Sequence, residues 1–323
     1  ANPSIDLTKL ALEVILTEGA NISPDPARVM DYSHPRKFTV TSEDGNWHKE
    51  YSVIIDTFDL PLQYDFEHYE LNETGKYQVF FEETQGTALF GNQDIWASGN
   101  SGFALTGVGR NPQEYPTVSV ENGIDGSRAI KLETKSTGQF GETVKMPIAA
   151  GNLFLGSFDV NNAVQKPLKA TRFGLPFGKK TAQTQGILQN TPGTQHFKAK
   201  DKNGNTVTIP EQEDEGDIYA VLYEAAELDG KALDGNNVLT SGSIVALARV
   251  EVEKKDELLH FMPIFITDAH TDRLAGVHPK PGDPSDDGTG PYLPFSEEKM
   301  KNYEYNLAVV SLPANMGHIL PVL

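Results

Sequence analysis

Between Lys37 and Ile55 the chain reads KFTVT, then SEDGN, then WHKEYSVII. Apolar and polar residues alternate on both sides of the pair Asp44-Gly45. A period of two places the apolar side chains on one face of a strand, and Asp-Gly supplies the backbone conformation of a tight hairpin. The same pattern of short apolar runs broken by Gly and Pro continues throughout, with 29 Gly and 20 Pro in 323 residues. That punctuation leaves little room for long helices. Further strands are predicted at Tyr77–Glu82, Thr117–Glu121, Ala129–Thr134, Leu153–Asp159, Ile218–Glu224, Ile244–Val252, Phe261–Thr267 and Tyr305–Val310. Short helices are predicted at Asp256–His260 and Glu297–Asn302, and Lys9–Leu16 (KLALEVIL) fits strand or helix. No βαβ alternation and no Gly-rich phosphate loop opening a helix is present. The expectation is an all-β protein: a small β-sandwich over residues 1–59, a joint at Asp56–Pro61, and a larger jelly roll or related sandwich over residues 60–323.

Composition excludes several function classes. A formal charge of −18 repels phosphate, so neither nucleic acid nor an anionic membrane is expected as a partner. No apolar run reaches the roughly 18–20 residues that span a bilayer, so no transmembrane segment is predicted. Cysteine is absent, which removes disulfides and thiolate chemistry. Neither a G-x-S-x-G elbow nor an HExxH helix occurs.

The stretch TALFGNQDIWASGNSGFALTGVG, residues 87–109, sets Trp96 in a run of Gly, Asn and Ser too Gly-rich for a helix. Its ring either caps the core or stacks on the apolar face of a sugar. Asn100 and Asn152 can exchange hydrogen bonds with sugar hydroxyls, or can hold turns. Arg172 precedes Phe173 and Phe177, a set able to bind hydroxyls or a carboxylate against apolar walls. Its plainer use is a salt bridge to one of the many acids. Glu224 closes the strand DIYAVLYE beside Tyr223, as a polar ligand contact or an edge carboxylate. Glu213, Glu215 and Asp217 alternate, so a strand would space neighbours about 7 Å apart on one face. Glycosidases need carboxyls roughly 5–9.5 Å apart. Tyr219 at the next same-face position breaks the E-x-D-x-E pattern, however. Asp268, His270 and Asp272 offer a metal one nitrogen and two carboxylates if their strand continues, and are otherwise a solvated turn. Asp283, Ser285 and Asp287 before Gly288 open a calcium-type loop, D-x-S-x-D-G. Pro294 stands where an EF-hand has its bidentate Glu, so the expectation is a looser structural calcium site or none. No other cofactor is expected.

A family resemblance joins these pieces. GANISP (Gly19–Pro24), DYSHPRKFTVTSEDG (Asp31–Gly45) and EYSV (Glu50–Val53) resemble the small immunoglobulin-like modules of Bacteroidetes surface proteins. YDFEHYEL (Tyr64–Leu71), WASGNSGFAL (Trp96–Leu105), YPT (Tyr115–Thr117), AAGNLFLGSF (Ala149–Phe158), FGLPF (Phe173–Phe177), DIYAVLYE (Asp217–Glu224) and NYEYNLAVV (Asn302–Val310) resemble, in order, the putative carbohydrate metabolism domain family. The resemblance implies a jelly roll with a pocket like those of carbohydrate-active proteins, in an exported protein of the periplasm or outer-membrane surface. The chain opens at Ala1 without Met, which fits a removed leader and a lipid anchor on the removed segment. The implied partner is an oligo- or polysaccharide. The leading function is carbohydrate binding for glycan capture. The alternatives are a glycoside hydrolase on the same scaffold and an adhesion or scaffold protein. Two segments depart from the family. KTAQTQGILQNTPG (Lys180–Gly193) replaces an aromatic-rich strand, and SLPANMGHILPVL (Ser311–Leu323) replaces a final strand, which is expected to be altered or lost.

Overall fold

The computed structural model describes residues 6–29, 31–55, 60–82, 95–121, 123–179, 181, 183–191, 197–198, 207–208, 216–228, 231–250, 255–263, 265, 305–312 and 316–321. The chain divides into two compact units, Ala1–Asp59 and Leu60–Leu323. Both are built from antiparallel strands, and the protein is all-β.

In the first unit, β1 (Asn21–Ser23), β2 (Arg36–Thr41) and β3 (His48–Val53) form one sheet in the order β1-β2-β3. The β2–β3 hairpin turns at Asp44-Gly45. Gly45 has φ +70°, and the Asp44 carboxylate accepts from Ser42 Oγ and the Asn46 amide. Those bonds hold the Asp44 carboxyl down at about 2. Tyr32 and Phe38 stack at 6.4 Å and are both buried. Lys9–Leu16 forms neither strand nor α-helix. A 3-10 turn at Leu7–Lys9 is followed by extended chain, and Val14 and Ile15 stand exposed with no sheet face to pack on.

The second unit opens with the hairpin β4 (His68–Leu71) and β5 (Gln78–Phe81), then β6 (Trp96–Ala97), a short helix α1 (Asn100–Ala104), β7 (Thr117–Val120) and β8 (Ala129–Glu133). The minor pair β9 (Lys135–Ser136) and β10 (Ile148–Ala149) brackets α2 (Gly138–Thr143). Next come β11 (Leu153–Phe158), β12 (Thr171–Phe173), β13 (Leu175–Phe177), β14 (Gly186–Asn190), and the pair β15 (Phe197–Lys198) and β16 (Val207–Thr208). The chain continues through β17 (Asp217–Tyr223), β18 (Ile244–Val250), β19 (Lys255–Phe261), β20 (Tyr305–Leu312) and β21 (Met316–Pro321). One large sheet runs β12-β11-β20-β17-β18, with β13 on β20 and β6 on β11. The other runs β19-β14-β21-β8-β7.

The central strand β17 is apolar on both faces because both are covered. Tyr219, Val221 and Tyr223 pack with Phe154, Phe173, Leu233, Val238 and Leu247 in one core cluster. Ile218, Ala220 and Leu222 on the opposite face are buried as well. Gly174, at φ +103°, is needed here, since a Cβ would lie 2.6 Å from the Tyr223 ring. Its absence lets the Tyr223 hydroxyl donate to the Phe173 carbonyl at 2.7 Å.

Several expectations change. Asp256–His260 is strand, because ladder pairing of β19 with β14 outweighs local helix preference. Of the predicted strand Phe261–Thr267, Phe261 closes β19, Met262 and Pro263 leave the ladder, where Pro has no N–H to donate, and residues 264, 266 and 267 lie outside the described residues. The final strand is present, since β21 pairs with both β14 and β8 inside the five-stranded sheet. The departing segment at 180–193 supplies β14, with Leu188 buried. The helix predicted at Glu297–Asn302 lies outside the described residues.

Candidate functional site

A buried polar centre lies where the start of the second unit meets β5 and β6. Residues 63–66 alternate in burial: Gln63 and Asp65 are exposed, Tyr64 and Phe66 buried. The Phe66 backbone turns to φ +55°. That conformation is uncommon for a bulky residue and costs on the order of 1–3 kcal/mol. It sets the rings of Tyr64 and Phe66 against Trp96, each with centroids 5.0 Å away, Tyr64 edge-on. Glu82, one residue beyond β5, is 6% exposed and reaches into this aromatic group. Its Oε1 accepts from the Trp96 indole N–H at 3.3 Å, and its Oε2 accepts from the Asp65 amide at 3.0 Å.

The electrostatics follow from burial. Loss of water pushes the Glu82 carboxyl up to about 7, helped by the neighbouring Asp65 charge and opposed by its N–H donors. Tyr64 is pushed upward, first by burial and then by Glu82. The Tyr64 hydroxyl is a buried side-chain polar atom with no hydrogen-bond partner among the described residues. A carboxyl poised near neutrality can accept or donate, and a phenol can do both, against flat apolar walls.

The residues singled out from sequence do not form one constellation. Trp96 belongs to this centre, but its ring is 5% exposed, in the core rather than on the surface. The Gly-rich run after it does contain a helix, α1. Tertiary anchoring overrides weak propensity there, because Asn100 clamps the backbone of Thr117, donating to its carbonyl at 2.8 Å and accepting from its amide at 3.2 Å. Asn152 meets the same residue: its carbonyl accepts from Thr117 Oγ1 at 2.8 Å, while its Oδ1 accepts from Gly99 N–H at 2.7 Å. Asn100 and Asn152 are thus brought together around Thr117. Phe173 and Tyr223 are brought together in the sheet core, and Phe177 is buried on β13. Arg172 is exposed and paired with Asp159 at 2.7 Å. Glu224 follows β17, half-buried, with its amide bonded to the Ser243 carbonyl. Asp217 is held by a two-pronged bond from Arg249 at 2.9 and 2.8 Å.

Glu213, Glu215, the group Asp268, His270 and Asp272, and the calcium-type residues Asp283, Ser285 and Asp287 lie outside the described residues. Among the described residues, no group of three or more His, Asp or Glu is placed to hold a metal. No helix among them is long and apolar enough to cross a membrane.

Residues 65–318 match the family model of the putative carbohydrate metabolism domain. The chain belongs to that family. Residues 2–55 of this carbohydrate metabolism domain protein match the SGBP N-terminal model, the leading module of surface glycan-binding proteins. A solved protein of Bacteroides thetaiotaomicron, named a putative glycoside hydrolase, is similar over 99% of this chain and 87% of its own, at 34% identity and TM-score 0.65. A second, from Bacteroides vulgatus and named likewise, is similar over 82% of this chain and 98% of its own, at 28% identity and TM-score 0.63. No curated protein matches the chain.

Sequence reasoning missed Tyr64, Phe66 and Glu82 as a unit with Trp96. Two signals pointed there. The family-like motif YDFEHYEL carries Tyr64 and Phe66, and the strand predicted at Tyr77–Glu82 ends on an acid after three apolar residues. An acid at that place is either at the edge in water or folded inward, and only the packing of Trp96 decides which.

Proposed function

We propose that this protein captures glycans outside the cytoplasm, at the cell surface or in the periplasm. The second unit, read as a jelly roll, would take the sugar, and the first would act as a spacer. The observation that carries this reading is the joining in one chain of an SGBP-type N-terminal module to a carbohydrate metabolism domain. The acidic charge supports a neutral polymer as ligand over a polyanion. Calorimetry against neutral and uronic-acid-containing oligosaccharides tests it. Binding of neutral chains with micromolar to millimolar Kd is the expected result, and no binding across the panel contradicts it.

A specific observation favours a second reading, glycoside hydrolysis. Glu82 has the environment of a general acid: burial against a tryptophan and protonation near neutral pH, beside a second carboxyl at Asp65. In that reading Glu82 protonates the leaving oxygen, and a carboxylate about 5–9.5 Å away acts on the anomeric carbon directly or through water. Reducing-sugar release that falls at least about 100-fold in Glu82→Gln would support it. Intact oligosaccharide after prolonged incubation with wild type would exclude it.

A further inference from the structure

We propose that the Tyr64 hydroxyl and the Glu82 carboxyl form the polar end of an aromatic-walled subsite for adjacent hydroxyls of a neutral pyranose. The proposal rests on the glycan reading above and locates it in the fold. Three independent features converge on it.

The first is the Tyr64 hydroxyl. A buried polar atom is nearly always hydrogen-bonded, because leaving it unpaired forfeits its hydration with no return. Tyr64 is 2% exposed and its hydroxyl has no hydrogen-bond partner among the described residues. A phenylalanine would fill the same space without that cost, so the hydroxyl has no role in the packing of the free protein. A partner arriving with the ligand gives it one.

The second is the division of labour at Glu82. Oε1 accepts from the Trp96 indole and Oε2 from the Asp65 amide, and the Phe66 amide bonds to the group as well, which fixes its plane. The two oxygens together offer about four lone-pair sites, so the group can still accept a hydroxyl. The Tyr64 phenol can donate and accept. Together they offer a donor and acceptors to neighbouring ring hydroxyls. Phe66 and Trp96, packed against each other and buried, form the apolar surround of this polar pair. A uronic acid would bring a second negative charge against Glu82 and Asp65 and be disfavoured.

The third is the backbone. Phe66 sits at φ +55°, and the residues covering the centre alternate buried and exposed from Gln63 to Phe66. The subsite therefore lies one residue beneath the surface, under a segment held away from its preferred conformation. Strain of this kind concentrates where a ligand is clamped. Entry is across this segment.

The test uses the full chain and neutral gluco-, manno-, galacto- and xylo-oligosaccharides of four to six residues, with galacturonic oligosaccharides as the charged arm. Tyr64→Phe is expected to melt at or above the wild-type temperature and to bind the neutral ligand about tenfold more weakly. Wild-type affinity in Tyr64→Phe overturns the subsite and leaves the glycan reading standing. Wild type that binds no member of the panel overturns both. A lower melting temperature in Tyr64→Phe also overturns the subsite, because the hydroxyl would then have a structural partner. Stronger binding of the galacturonic arm than of every neutral chain overturns the choice of neutral ligand.

Discussion

Two buried polar centres of the second unit, both built on family-like motifs, differ in what they leave open. Around Thr117, Asn100 meets the backbone amide and carbonyl, Asn152 meets the hydroxyl, and Gly99 is tied in through the Asn152 side chain. Each of those groups has a protein partner, and the centre fixes α1 to β7 and the start of β11. Around Trp96, a carboxyl is held out of water and a phenol has no hydrogen-bond partner among the described residues. A protein tolerates that cost at a site whose partner comes from outside. On the proposed reading, the amide network around Thr117 is architecture and the centre around Trp96 is where a ligand is met.

The contrast can be broken first at Asn100. Asn100→Ala strands a buried amide and carbonyl of Thr117, and the expected loss is about 2–4 kcal/mol in urea unfolding. A loss below about 1 kcal/mol would mean that the Thr117 centre is not architectural.

The next largest effect is in pH dependence. The Glu82 carboxyl is raised from an ordinary 4.5 to about 7. The folded state therefore binds its proton more tightly than the unfolded chain between those values. Stability from this group is greatest below pH 4.5 and declines as pH rises to about 7, by up to roughly 3 kcal/mol. Burial sets this behaviour first, with the Asp65 charge adding to it and the N–H groups of Asp65, Trp96 and Phe66 opposing it, while Tyr64 is the uncharged polar group beside it. Glu82→Gln should remove that part of the pH slope, measured by denaturation at pH 4.5, 6 and 8. An unchanged slope would place the Glu82 carboxyl in water.

Smaller still is Arg172→Ala. Its pair with Asp159 is exposed, so unfolding should shift by less than about 1 kcal/mol and glycan affinity should hold. A large loss of binding would return Arg172 to the ligand contacts.

The fold was legible where pattern and burial agree. The Asp44-Gly45 hairpin, the strands at Thr117, Ala129, Leu153 and Ile244, and the apolar run of β17 follow from alternation or from continuous burial. Lys255–Phe261 was not legible, since KDELLHF carries helix-forming residues and becomes strand only through its neighbour β14. The final strand, MGHILP, was obscured by its unusual sequence, although backbone pairing on both sides places it. At the candidate site, Trp96 was legible as a residue of consequence, but its surroundings were not. Glu82 is 14 residues from Trp96 and Tyr64 lies 32 away, and no local pattern announces that Phe66 adopts a positive φ. Asn100 read as a sugar contact because an amide in a Gly/Ser run looks free. Its two bonds to the Thr117 backbone exist only once β7 is beside it.

The most direct test is the emission of Trp96 itself. The chain has two tryptophans, Trp47 and Trp96, so Trp47→Phe leaves the buried ring as the sole reporter. Titration of this variant with a neutral oligosaccharide that the wild type binds should shift or quench the emission, saturate at the calorimetric Kd, and respond about tenfold more weakly when Tyr64→Phe is added. Unchanged Trp96 emission at saturating oligosaccharide would contradict a sugar-binding role for the centre.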